Sequence, residues 1–169
     1  SFMTERIFNF SAAPAVLPEA VLVQAQQALL NLQGLGMSIL EISHRSKAFD
    51  QILENCIANL RQLLNIPSNY HVLFLQGGAS MQFSMVPINF LRGKSKAGYL
   101  LSGTWAKKAM QEAQREGQSE VLWSGKDDGF VRMPADSEWS ADEDSAYVHF
   151  TSNETIQGIA FQQDPQNTG

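Results

Sequence analysis

One cysteine in 169 residues, Cys56, leaves no partner for an intrachain disulfide, which suits a reducing compartment and makes the cytoplasm the expected location. Three histidines and that one cysteine show no metal-ligand spacing, so no metal centre is expected. Apolar runs stay well short of the roughly 20 residues that a membrane span needs. A basic excess is also missing. Twelve Lys and Arg stand against seventeen Asp and Glu, for a net charge of −5, with both signs scattered along the chain, and this excludes an obvious nucleic-acid footprint. Internal repeats, low-complexity tracts and clear linkers are lacking too. Ser1 and Phe2 ahead of Met3 read as an addition before a natural start.

What is present is a chain 44% hydrophobic and 17% charged, enough to build one substantial core. After an apolar entry at residues 7–10 and a loop at residues 11–14, Pro18 sits where the first turn of a helix tolerates it. Leu22, Ala25, Leu29 and Leu32 then mark one helical face, which Gly34 and Gly36 end. A second helix over residues 47–64 carries Phe49, Ile52, Leu53, Cys56, Ile57, Leu60 and Leu64 on one stripe.

Short apolar runs bounded by turn residues predict strands near Val72, Tyr99, Glu120 and Ala146. Helices are predicted over residues 81–91, which Pro87 should kink or break, and over residues 105–116. Strands alternating with helices predict an α/β domain with a largely parallel sheet. Asp127, Asp128 and Gly129 read as a hairpin turn, and the acidic stretch of residues 136–144 as a solvated loop. His149, alternating with Tyr147 in a predicted strand, reads as structural, and His71 as solvent-facing.

The strongest chemical signal is Gln76-Gly77-Gly78-Ala79-Ser80, between a predicted strand and a helix. Glycines let the backbone approach a ligand, and free N–H groups at a helix start favour an anion such as phosphate. The same residues also describe a tight turn with Ser80 as N-cap. The spacing fits neither a nucleoside-triphosphate loop nor a dinucleotide fingerprint. His44 and Arg45 stand together ahead of the second helix, where the arginine fork suits a carboxylate or phosphate, or equally a surface or capping role. Trp105 begins a helix just after a strand and offers a flat face to an aromatic ligand, or a core contact.

Taken in order, FNFSAAPAVLP, GLGMSILEISHRSKAF, VLFLQGGASMQFSMVPINFL, SGTWAKKAMQEA and HFTSNETIQGI resemble the phosphoserine aminotransferase family along the whole chain. The resemblance implies a fold-type I enzyme dependent on pyridoxal 5'-phosphate, with a large α/β domain built on a mixed sheet flanked by helices. It implies a small C-terminal domain and a homodimer with active sites at the subunit interface. Residues 1–16 would be an N-terminal segment and residues 17–169 an incomplete large cofactor-binding domain. By position, Ala79 and Ser80 match residues that hold the cofactor phosphate, Trp105 the residue stacked on the pyridine ring, and Thr155 the residue bonding the ring hydroxyl. Arg45, with His44, matches the site for the substrate's distal anion.

The implied reaction moves an amino group from L-glutamate to 3-phosphohydroxypyruvate, giving O-phosphoserine and 2-oxoglutarate in serine biosynthesis. A phosphorylated intermediate of pyridoxine synthesis is a second implied substrate in bacteria. Two alternatives stand beside this: a related fold-type I aminotransferase acting on serine, alanine or glyoxylate, which the His44-Arg45 pair argues against, and a non-catalytic truncated fragment. The family pattern usually has glycine where Ala12-Ala13-Pro14 stands, so Ala12 carries no expected contact. The lysine that forms the Schiff base, the aspartate that pairs with the pyridine nitrogen and the arginine for the α-carboxylate match no residue here. The chain by itself is therefore expected to be inactive, and its sheet incompletely covered.

Overall fold

The computed structural model describes residues 6–93 and 96–166, in two compact units that divide between Phe74 and Leu75. The first holds two helices, α1 over Glu19–Leu30 and α2 over Lys47–Leu64. Pro18 opens α1 with its carbonyl, which accepts the N–H groups of Val21 and Leu22 at 3.0 and 3.2 Å. α2 has a stronger start, because the Ser46 hydroxyl accepts the Phe49 N–H at 3.2 Å. Its end is set by Asn65, which turns into the left-handed region (φ 50°), and by Arg61, whose guanidinium donates to the carbonyls of Pro67 and Tyr70. The α2 bounds agree with the periodicity of the sequence, whereas α1 stops at Leu30, before Leu32. No residue of either helix is buried.

The second unit contains α3 (Gly78–Phe90), β1 (Lys96–Leu101), α4 (Thr104–Ala113), β2 (Gln118–Ser124), β3 (Ser145–His149), and a small antiparallel pair, β4 (Asn153–Glu154) and β5 (Ile159–Ala160). β1 is the central strand of a three-stranded parallel sheet ordered β2-β1-β3. A parallel strand with neighbours on both sides and a helix on its face must be apolar along its buried length. Accordingly Ala97, Tyr99 and Leu100 are each no more than 1% exposed. Gly98 has no room for a side chain, since a Cβ would lie 2.5 Å from Leu122 Cδ1.

α4 packs on β1 through Ala106, Ala109 and Ala113, all buried, and these small side chains let the helix come close to the sheet. α3 packs on α4, where the Ser84 hydroxyl donates to Glu112 at 3.1 Å. Leu91, Ala97, Tyr99, Ala109 and Ala113 form the core, with Phe83 and Tyr147 against it. Fully burying a leucine such as Leu91 or Leu100 contributes roughly 1.5–3 kcal/mol. At the other end of the strands, the Lys96 ammonium bridges Glu120 at 2.7 Å and Asp142, tying β2 and the segment just ahead of β3 to the central strand.

Two local expectations fail outright, and of the kink or break expected at Pro87 the break is absent. Residues 72–75 form no strand: a strand needs a ladder, and among the described residues none pairs with them, leaving Leu73, Phe74 and Leu75 51–69% exposed. Pro87 does not end α3, which runs from Gly78 through to Phe90, with Pro87 itself buried. Burial of the ring and the bond from the Leu91 N–H to the Pro87 carbonyl (2.8 Å) hold the last turn together. The Asp127-Asp128-Gly129 turn closes, with the Phe130 N–H on the Gly125 carbonyl at 2.8 Å, but it is no hairpin because β2 pairs only with β1. His149 is partly buried in the core and His71 exposed, as expected.

The acidic stretch is more ordered than a solvated loop. Arg132 lies over the Trp123 ring and grips both Glu138 oxygens at 2.7 and 2.8 Å and Asp128 at 2.8 Å. Arg132 first, and then the Ala135 N–H, pull the Glu138 carboxyl from 4.5 down to about 2. A depressed carboxyl stabilises the fold above its unfolded pKa, and that contribution disappears as pH falls through the folded value. The clasp is therefore expected to open between about pH 4.5 and 2, read as a change in Trp123 fluorescence that Glu138→Gln abolishes.

Candidate functional site

Two helices of the second unit start beside turns of small residues. Gly77 and Gly78 both take positive φ (87° and 60°) ahead of α3, a conformation that costs other residues strain. A Cβ on Gly77 would also lie 2.5 Å from Met81 Cβ. This turn leaves the N–H groups of Gly78, Ala79 and Ser80 pointing off the helix start without an acceptor among the described residues; the first N–H with one is Met81, on the Gly77 carbonyl at 3.3 Å. Ala79 and Ser80 are exposed. Three open donors on a helix dipole suit an anion such as a phosphate.

At the start of α4 the arrangement is reversed. The hairpin of β4 and β5 reaches over from residues 153–160, and its side chains take the helix N–H groups. Thr155 Oγ1 accepts the indole N–H of Trp105 at 2.9 Å, so the structure brings together two expected cofactor residues that are 50 positions apart. As acceptor of that bond, the threonine keeps its own proton to donate elsewhere. Lys108 Nζ covers one face of the indole, 4.7 Å from a ring centroid.

His44 and Arg45 lie in the first unit, exposed, in the turn ahead of α2. The Arg45 N–H donates to the Ser43 hydroxyl at 3.1 Å, which fixes the backbone and leaves the guanidinium for other partners. A groove of about 560 Å³ beside the carboxyl ends of β1 and β2 is lined by Lys107, Lys126, Phe130 and Gln157 among others, and by none of the six expected site residues. The candidate site is thus defined by donors and rings, not by that groove. Glu154 and Gln157 were not foreseen. Each sits in a polar string that reads as loop, and its partners lie about fifty residues away in the chain.

The chain belongs to the class-V aminotransferase family, whose pattern it matches over residues 7–166. Within that class its relatives are phosphoserine aminotransferases. It is 54% identical over 157 residues to the enzyme of Acinetobacter baylyi and 48% identical over 159 residues to that of Bacillus anthracis, covering 92% and 94% of this chain. It spans 44% of the length of each of these curated relatives. The solved phosphoserine aminotransferase of Bacillus circulans subsp. alkalophilus superposes with a TM-score of 0.91 at 42% identity, over 96% of this chain and 45% of that one. A pyridoxal-phosphate-bound structure of the enzyme from Trichomonas vaginalis gives 0.86 at 41% identity, over 95% and 48%. The α/β class with a parallel sheet flanked by helices is therefore the fold of these aminotransferases.

Proposed function

We propose that this chain is the N-terminal part of the large, cofactor-binding domain of a phosphoserine aminotransferase, with residues 1–16 as its entry segment. The observation that carries the reading is the contrast between the two helix starts: α3 presents three unclaimed N–H groups, while α4 presents an indole held by a threonine. Ala79 and Ser80 would hold the phosphate of pyridoxal 5'-phosphate. The uncovered face of Trp105 would take its ring, and the Thr155 hydroxyl proton would be donated to the ring oxygen. When bound, that group supplies an electron sink for amino-group transfer.

Arg45, seconded by His44, would bind the distal anion of both substrates, the γ-carboxylate of L-glutamate and the phosphate of a phosphorylated 2-oxo acid. A planar guanidinium fits either one through two parallel bonds. The same assignment makes the protein a cytoplasmic homodimer, with the apolar stripe of α2 as part of the contact.

Arg45→Ala in the full-length protein tests the reading. A charge-assisted bond is worth roughly 1.5–3 kcal/mol, so kcat/KM is expected to fall about 10- to 150-fold for glutamate and for phosphoserine alike. Unchanged use of glutamate beside a loss on phosphoserine would refute a shared anion site.

A further inference from the structure

Glu154 is wholly buried, and it faces the start of α4 rather than a cation. Its Oε2 accepts the Trp105 N–H at 2.9 Å, and its Oε1 accepts the Ala106 N–H at 2.8 Å and the Ser102 hydroxyl at 3.3 Å. Gln157 completes the set: its Oε1 accepts the Thr104 N–H at 3.3 Å and its Nε2 donates to the Thr104 hydroxyl at 3.0 Å. The three leading N–H groups of α4 are all satisfied by one hairpin. A carboxylate suits this place, because the helix dipole and charge-assisted bonds offset its removal from water.

The approach is close enough to dictate the neighbouring residue. A Cβ on Gly103 would lie 2.6 Å from Gln157 Oε1 and 2.7 Å from Glu154 Cδ, so only glycine lets the hairpin seat. The residue after Glu154 is Thr155, which holds the Trp105 indole. Two successive residues of the hairpin therefore grip one tryptophan, Glu154 by its backbone and Thr155 by its side chain.

We propose that Glu154 is a positioning residue that fixes the Trp105–Thr155 pair in the geometry that receives an aromatic cofactor. Only the cofactor arm of the test rests on the function proposed above. Glu154→Gln in the full-length protein keeps size and one acceptor, but its amide NH₂ then confronts an N–H donor, leaving the N–H of Trp105 or Ala106 buried without a partner.

With ¹⁵N labelling, the indole N–H resonance of Trp105, assigned through Trp105→Phe, is expected to shift and to exchange with solvent at least about 5-fold faster. Those of Trp123 and Trp139 stay in place. The dissociation constant for pyridoxal 5'-phosphate rises roughly 5- to 150-fold. An unmoved Trp105 resonance, or equal movement of all three indoles, overturns the positioning role. A moved Trp105 with unchanged cofactor affinity supports that role and overturns Trp105 as the stacking residue. If Glu154→Gln does not fold, Ser102→Ala decides: it removes one donor to Oε1, and a smaller shift confined to Trp105 supports the proposal while no shift overturns it.

Discussion

Tyr99→Ala is expected to remove about 3–5 kcal/mol of folding free energy, the range for truncating a large buried aromatic side chain. Tyr99 is 1% exposed at the middle of the central strand. Its ring stacks on His149 at 5.2 Å and meets Tyr147 edge-on at 6.1 Å, and its hydroxyl lies 2.8 Å from that of Tyr147. Truncation therefore opens a cavity between two strands and leaves the Tyr147 hydroxyl without its partner. Tyr99→Phe separates the two effects, because it fills the space and loses only the hydrogen bond, for about 1 kcal/mol. Urea unfolding gives both numbers; a loss under about 1 kcal/mol for Tyr99→Ala would show that this position is not the centre of the core.

Acidification from pH 7 to 4 is expected to cost on the order of 3 kcal/mol through His149 alone. Burial lowers its imidazole from 6.5 to about 4. Phe83 and Tyr99 pack around the ring, and Thr151 Oγ1, 3.4 Å from Nε2, is the polar contact. Between these two values the unfolded chain binds the proton and the folded chain does not, so stability rises with pH across that window. The contribution is complete above about 6.5, shrinks as pH falls, and changes no further below about 4, where both states are protonated. His149→Phe removes this titration and leaves the carboxylates alone. The stability difference between the two proteins should therefore change by that amount between pH 7 and 4, and a difference independent of pH would refute the assignment.

Local rules were sufficient where the cause is local. α2 needs only its stripe, the Ser46 cap and a turn residue after Leu64, and these are contiguous in the sequence. β1 was legible because the buried middle of a strand covered on both faces, here residues 97–100, must be free of charged side chains. The run at residues 72–75 has the same composition and failed, since pairing partners are not written into a strand's own residues. The break expected at Pro87 is absent for a related reason: its ring is buried, and packing outweighs the missing hydrogen bond. At the candidate site, the open helix start at Ala79 and Ser80 was legible in the glycine-rich turn before it, and Trp105 in its place just after a strand. Glu154 could not be, because a glutamate between Asn153 and Thr155 looks like any solvated acid until the fold carries it under α4.

The filled start of α4 also bears on how a phosphorylated molecule chooses its orientation. A phosphate group entering this unit would be drawn to a helix that begins with open donors, and of the two helices that begin beside turns of small residues α3 offers them and α4 does not. At one, the chain has installed its own negative charge, so an incoming phosphate meets repulsion and no free donors; at the other it meets three. On the site proposed above, a molecule with a phosphate at one end and a ring at the other would thereby be sorted head from tail, by charge as well as by shape.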